Sequence, residues 1–188
     1  IYTALYRKWR PLSFDDVISQ PHITTTLQNQ IKNGRTAHAY LFTGSRGTGK
    51  TTCARIFAKA VNCPNEKDGN PCLECDVCRD ADNAALSDII EIDAASNNGV
   101  DDIRDQLVSD MQIKPYSSPY KIYIIDEADK LTVAAQNAML KTIEEPPAYG
   151  IVILLANNPD VFLQTILSRC VVLDLKPLKD DCLLYTSD

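Results

Sequence analysis

Gly44-Ser45-Arg46-Gly47-Thr48-Gly49-Lys50-Thr51 fits the pattern GxxxxGK[ST] at every fixed position. These residue types at this spacing suit one chemistry, the holding of a polyphosphate. The glycines let the backbone close on an anion with its N–H groups pointing inward. A helix starting directly after the loop adds the positive end of its dipole. Lys50 can reach β- and γ-phosphates, and the Thr51 hydroxyl can bind Mg²⁺. Gly44 through Thr52 are therefore the candidate nucleotide-contacting residues. The flanks agree: Ala39 to Thr43 reads as a short buried strand and Thr52 to Ala60 as a helix. Strand, glycine loop and helix together are the context the motif requires. The alternative is a glycine-rich turn with no ligand.

A second constellation ends the stretch from Tyr120 to Asp129. Ile122 to Ile125 forms an apolar run, as in a strand buried on both faces, and it stops at Asp126-Glu127. After a phosphate loop, this is the Walker B arrangement. Asp126 would hold Mg²⁺ directly or through water, and Glu127 would activate the attacking water as general base. By itself the pair could be an acidic turn after a core strand.

The third is Cys63-x8-Cys72-x2-Cys75-x2-Cys78, four of the seven cysteines in the chain. Pro64, Gly69 and Pro71 prevent one continuous helix. The spacing suits tetrahedral Zn²⁺ held by four thiolates, closed to water and so structural. An iron–sulfur cluster and free thiols are the alternatives. Residues 62–80 read as an insertion carrying this site. Cys53 and Cys170 read as core residues. His22 and His38 lack metal-like partners and read as structural.

The remaining elements must position these groups. Arg7-Lys8-Trp9-Arg10-Pro11 and Val17-Ile18 lie in an extended segment bounded by Pro11 and Pro21. Its basic-aromatic cluster could stack on a base or meet phosphate, or be a solvated arm. His22 to Lys32 has helical apolar spacing, with Gly34 as its stop. Ser87 to Ala94 reads as a strand, Ala95 to Gly99 as a loop, and Val100 to Met111 as a helix presenting Val100, Ile103, Leu107 and Met111. Ala134 to Glu145 is a helix stopped by Pro146-Pro147. Gly150 to Ala156 is a buried strand ending at Asn157, whose side chain would sit beside a γ-phosphate. Leu163 to Ser168 is a short helix, followed by Arg169 and a last strand, Cys170 to Leu175. Alternating strands and helices predict an α/β fold, a parallel sheet flanked by helices on both faces. Its ligands sit at the strand C-termini.

Composition narrows the classes. Of 188 residues, 45% are hydrophobic and 23% charged, a globular mixture. No apolar run approaches the ~20 residues of a membrane span. The polar, basic stretch from Tyr2 to Arg10 is unlike a signal peptide, so a cytoplasmic protein with reduced cysteines is expected. A net charge of −6 argues against a free-standing nucleic-acid binder with a basic surface. DNA contact through a local patch or an assembly remains open. The chain starts at Ile1, and residues 182–188 read as a non-native tail after a domain of residues 1–181.

Taken in order, Arg7 to Pro11, the phosphate loop, the four cysteines, Glu91-Ile92-Asp93-Ala94-Ala95-Ser96, Asp126-Glu127, Leu140 to Pro147 and Ile166 to Cys170 resemble the gamma/tau family of bacterial DNA polymerase III clamp-loader subunits. These are AAA+ ATPases, and the resemblance spans about residues 2–180. It implies ATP and Mg²⁺ as ligands, ATP hydrolysis, and Zn²⁺ on the cysteines. It implies a hetero-pentamer with other clamp-loader subunits that places a ring-shaped sliding clamp on primed DNA, with no membrane partner. As a holoenzyme subunit the family is classed with DNA-directed DNA polymerases. Arg7, Pro11, Val17 and Ile18 would lie near the adenine, Asn157 would be the sensor 1 residue, and Arg169 would be an arginine finger for the neighbouring subunit. Family members often carry threonines where this chain has Asn157-Asn158, and basic residues where it has Asn97, Asn98 and Gly99. A delta-prime-like scaffold that does not hydrolyse ATP, or a zinc-stapled interaction module with a vestigial loop, are the competing readings.

Overall fold

The computed structural model describes residues 10–18 and 20–177. Arg7 and the tail from 182 to 188 lie outside the described residues. Among the described residues five strands make one sheet in the order β2-β3-β4-β1-β5: β1 Ala39–Thr43, β2 Ile89–Asp93, β3 Lys121–Asp126, β4 Gly150–Ala156 and β5 Val171–Asp174. Every pairing is parallel. β1 and β4 are buried along their whole length. That is why their sequences, AYLFT and GIVILLA, show no polar alternation.

Helices cover both faces, as expected of an alternating pattern. Tyr40, Phe42, Ile122, Ile124, Ile153 and Leu155 point to one side. There they meet Ile23 and Leu27 of α1 (Pro21–Lys32) and Cys53, Ile56 and Phe57 of α2 (Lys50–Asn62). Leu41, Tyr123, Ile125, Val152 and Leu154 point to the other side. Packed on them are Ile103, Leu107 and Met111, and Ala135, Met139 and Ile143 of α5 (Val133–Glu144). Residues alternate between the two clusters along each strand because the side-chain period is two.

Three expectations needed adjustment. Residues 100–111 form a widened helix: α4 (Val100–Ile103) passes into a π-helical stretch, Arg104–Ser109, and a 3₁₀ turn, Asp110–Gln112. Ile103, Leu107 and Met111 are fully buried, while Val100 is only half-buried. The end of this element is tied to the sheet. Lys121 Nζ donates to the Asp110 carbonyl at 2.6 Å and the Ile113 carbonyl at 3.2 Å, and the Tyr123 hydroxyl bonds the Asp110 carboxylate. Next, the cysteine segment, expected only not to be one continuous helix, ends in a helix of its own, α3 (Asp76–Asp82), which starts after all three breakers. Finally, the short helix before Arg169, α6, covers only Gln164–Leu167. Cys53 is buried and Cys170 half-buried against the core. His38 Nδ1 lies 2.7 Å from the Gly150 carbonyl and His22 Nε2 3.3 Å from that of Asp174, both structural contacts. Among the described residues no helix is long and apolar enough to cross a membrane.

Asp88, just before β2, organises the approach to β3. It is 2% exposed. Its carboxylate accepts the backbone N–H groups of Tyr116 (2.6 Å), Ser117 (2.9 Å) and Ser118 (2.9 Å). Burial pushes the carboxyl up, but these N–H groups outweigh it and hold it below its ordinary value of 3.8. The unfolded chain therefore takes up this proton first. The stabilisation is complete above about pH 4 and is lost as pH falls through the lower folded value. Asp88→Ala should cost about 1–3 kcal/mol near neutral pH, because it leaves three part-buried backbone donors without their acceptor. The gap from the unaltered chain should narrow below about pH 4. Denaturant curves at both pH values measure it, and a gap independent of pH would contradict this account.

Candidate phosphate-binding and metal sites

The register of the sheet aligns the C-terminal ends of the central strands. Thr43 pairs with Ala156, and Asp93 with Asp126. The next residues, Gly44, Asn157 and Glu127, therefore leave the sheet along one edge. The phosphate loop folds there as a tight wrap. A Cβ at Gly44 would stand 2.7 Å from the Leu175 carbonyl and 2.8 Å from Thr48 Oγ1, so no side chain fits. The Thr48 hydroxyl closes the loop onto the Ser45 carbonyl at 2.8 Å. Ser45, Arg46 and Gly47 are exposed. Gly49 has φ +91° and precedes the first turn of α2, where Thr51 and Thr52 are half-buried.

Lys50 Nζ donates to the carbonyls of Gly44 (2.6 Å) and Ser45 (3.0 Å) and to Asn157 Oδ1 (3.0 Å). Burial lowers its pKa, while Asp126 and Asp129 act in the opposite sense. Asp126 is exposed at the end of β3, and its Oδ1 accepts the Glu127 N–H at 2.9 Å. Glu127 is exposed and left-handed, with φ +50°. That conformation is uncommon for a side chain of its size and turns the backbone into the 3₁₀ turn Ala128–Lys130. Asp129 Oδ2 accepts the Asn157 N–H at 3.3 Å, joining the β3 and β4 ends. A groove of about 510 Å³ opens on the β5 side of the loop, lined by Gly44, Ser45, Asn157, Asp174, Leu175 and Lys176 among others but by neither Lys50 nor the two acids. A cation, two hydroxyl-bearing residues, two carboxylates and an amide at one sheet edge can hold and activate a metal-bound polyphosphate.

Of the segment expected near a base, Pro11 and Val17 are half-buried and Ile18 is 59% exposed. Sequence reasoning missed Gln20. Its buried amide donates to the Lys176 carbonyl at 2.6 Å and the Thr48 carbonyl at 3.4 Å, and accepts from the Lys176 N–H at 3.1 Å. Gln20 thus fastens this segment to the phosphate loop. No motif flags it, because its partners lie up to 156 positions away.

The four cysteines converge. Their Sγ atoms all lie within 4.8 Å of one another. A tetrahedral ion with ~2.3 Å metal–sulfur bonds spaces its sulfurs about 3.8 Å apart. Cys63 and Cys75 stand 3.8 Å apart. Backbone N–H groups of Cys72, Glu74, Cys75 and Cys78 point at the sulfurs of Cys63, Cys72, Cys72 and Cys75, at 3.3–3.4 Å. The Glu74 N–H leads in drawing the Cys72 thiol down to about 6, while burial pushes those of Cys63 and Cys78 up. Four converging sulfurs with N–H support make a group that could hold a metal ion.

Arg169 does not join the phosphate site. Its Nη1 donates to the Thr165 carbonyl at 2.7 Å and its Nη2 pairs with Glu144 Oε1 at 3.0 Å. The acidic partner is on α5; it is neither Asp160 nor Asp174, the two carboxylates nearest in sequence. Asp174 instead accepts from the Thr43 hydroxyl at 3.0 Å.

Fold and loop together define an α/β domain with a phosphate-loop motif on a five-stranded parallel sheet. Similar solved structures include a DNA polymerase III gamma subunit-related protein from Thermotoga maritima, with TM-score 0.62 and 23% identity over 83% of this chain and 47% of that one. The RuvB Holliday junction branch migration motor of the same organism gives TM-score 0.59 and 18% identity over 90% and 48%. Both likenesses concern the fold. A family model described as "DNA polymerase III, delta subunit" matches residues 19–179, and the chain belongs to that family. It is also 50% identical to DNA polymerase III subunit tau of Bacillus subtilis over 97% of its length, and spans 32% of that relative.

Proposed function

We propose that this chain is the ATP-binding and ATP-hydrolysing part of a gamma/tau-type clamp-loader subunit. The observation that carries the reading is the convergence of Lys50, Asn157, Asp126 and Glu127 at one sheet edge beside the closed loop. ATP phosphates lie along Gly44–Thr52, with Lys50 exchanging loop carbonyls for phosphate oxygens. Thr51 and Asp126 hold Mg²⁺, which neutralises phosphate charge. Glu127 takes the proton of the attacking water, and Asn157 orients the terminal phosphate or that water. The adenine end lies toward Pro11, Val17 and Ile18. The family model carries a delta name, which keeps a scaffold role in view. The complete set of Lys50, Thr51, Asp126 and Glu127 favours a hydrolysing subunit. The tau relative supports a setting in DNA polymerase III: other clamp-loader subunits, the sliding clamp and primed DNA, in the cytoplasm. Zn²⁺ on Cys63, Cys72, Cys75 and Cys78 staples the 62–80 segment.

The test uses full-length protein. Lys50→Ala should abolish nucleotide binding and clamp loading. Glu127→Gln should retain binding and slow hydrolysis by about 10²–10⁴-fold. Equal turnover in both variants and the parent would remove the assignment.

Arg169 acts in trans in this reading. Its anchors, Glu144 and Thr165, belong to α5 and α6 and not to the phosphate loop. Fingers of this kind contribute about 10³–10⁵ in rate in other nucleotide hydrolases. Arg169→Ala subunits should bind ATP normally yet silence the adjacent site of an assembled complex. Mixing them with Lys50→Ala subunits at varied ratio reads this directly. Losses merely proportional to each variant's own sites would refute the trans role.

Elemental analysis of protein purified without chelators should find one zinc per chain. Iron with a visible absorption band, or no metal, would overturn the zinc assignment. Cys75→Ser should lower the melting temperature while leaving turnover per bound nucleotide intact.

A further inference from the structure

The four-cysteine segment touches more than its own ligands. Lys67-Asp68-Gly69-Asn70 closes as a tight turn, with backbone bonds of 3.0 and 2.9 Å between Lys67 and Asn70. Asp68 and Gly69 both have positive φ, +54° and +78°, as the hairpin turn of type I′ demands. The turn is pressed onto α1. A Cβ at Gly69 would lie 2.5 Å from Gln28 Cα, and Gln28 Nε2 donates to the Asp68 carbonyl at 3.1 Å. The Glu66 carboxylate accepts the Gly69 N–H at 2.9 Å. Two residues beyond Asn70 comes Cys72, so the metal ligands fix the far end of the turn.

Asn70 leaves this rigid turn and holds the N-terminal segment. Its Oδ1 accepts the Phe14 N–H at 3.0 Å, and its Nδ2 donates to Asp15 Oδ1 at 3.2 Å. Phe14 is buried against the α1–α2 core, and the 3₁₀ turn Phe14–Asp16 leads through Val17 and Ile18 to Gln20. Gln20 is the residue bonded to Thr48 of the phosphate loop. Contacts therefore link the cysteine segment through Asn70 to Phe14–Asp16, and Gln20, four positions further on, links the same segment of chain to the loop.

We infer that Asn70 is a positioning residue for nucleotide binding: the cysteine segment braces, through Asn70, the Phe14–Gln20 strap that flanks the phosphate loop. The inference rests on the reading that residues 44–52 take a nucleotide. It assigns the metal segment a task beyond its own stability, namely to hold the strap in its binding geometry before the nucleotide arrives. Preorganisation of this kind lowers the ordering cost of binding and acts on affinity, not on the chemical step.

The experiment measures MgATP affinity, zinc content and amide hydrogen exchange for the 188-residue chain and its variants. Asn70→Ala should keep its zinc, exchange faster at Phe14–Val17 and bind MgATP about fivefold more weakly, the worth of one net hydrogen bond. The double variant Asn70→Asp, Asp15→Asn reverses donor and acceptor and should restore affinity, which a loss of general stability would not do. Gly69→Ala, which pushes the turn off Gln28, should weaken binding with zinc retained. Stripping zinc from the unaltered chain should weaken binding too, and should add little in Asn70→Ala, since both act on one path. Affinity indifferent to Asn70, failure of the double variant to rescue, or fully multiplicative effects of zinc removal and Asn70→Ala would sink the inference alone. No MgATP binding by the unaltered chain would sink the nucleotide reading, and the positioning role with it.

Discussion

The parallel hydrogen-bond ladder through β3, β4 and β1 is the constraint on which the site depends. Apart from their ends these strands carry only apolar residues and two tyrosines, Tyr40 and Tyr123, whose hydroxyls are tied to fixed partners. A shift of one residue would carry Ile124, Ile153 or Leu41 from the helix-packed face each one fits to the opposite one and move Asp126 and Asn157 away from Gly44. The same burial that stabilises the sheet thus sets the distance between Lys50 and Asn157. The functional groups sit one step past the last buried residue, where the chain is free to turn but its starting point is fixed.

α2 carries that order outward. Its first residue, Lys50, belongs to the phosphate loop, and the residue after its last turn is Cys63. A helix of this length is about 20 Å long, so the two sites are far apart yet share one rigid body. Lys59, buried near its end, pairs with Asp82 of α3 at 2.7 Å. Asn62 exchanges two hydrogen bonds with the Tyr120 backbone at 3.0 and 2.9 Å. A buried ammonium left without Asp82 would be costly. The cysteine segment therefore cannot drift without disturbing the helix that presents Lys50.

Groups that announce themselves by local spacing were legible in the sequence: the glycine loop, the acidic pair after β3, the four cysteines, and the strands buried on both faces. Their proximity followed from the α/β alternation. Groups defined by a distant partner were not legible. Gln20, Asn70, Asp88 and Glu144 are polar residues in unremarkable local contexts. Each acquires its task from contacts 25 or more positions away. The widening of residues 104–109 was hidden for a related reason. Apolar spacing of four is served equally by an α-helical or a slightly unwound turn, and the ties to Lys121 and Tyr123 come from another element.

Lys50 shows how such a site holds a cation ready without a tight grip. All three ammonium hydrogens have an oxygen partner, two of them loop carbonyls and one the Asn157 amide. Neutral acceptors satisfy the hydrogens of the ammonium, whereas a charged oxygen adds a Coulomb attraction that they lack. Partial burial raises the stakes by weakening competition from water, and Asp126 and Asp129 keep the charge in place from a distance. A direct ion pair between Lys50 and Asp126 would defeat this arrangement, since a phosphate would then have to displace one carboxylate to meet the other group. Holding the ammonium on dipoles and the carboxylate on the Glu127 N–H leaves both charges free, as the proposed binding of phosphate by one and a divalent ion by the other requires. Asn157 touches Lys50 through its side chain and Asp129 through its backbone N–H, so any rearrangement of the cation is felt at the strand ends that hold the acids.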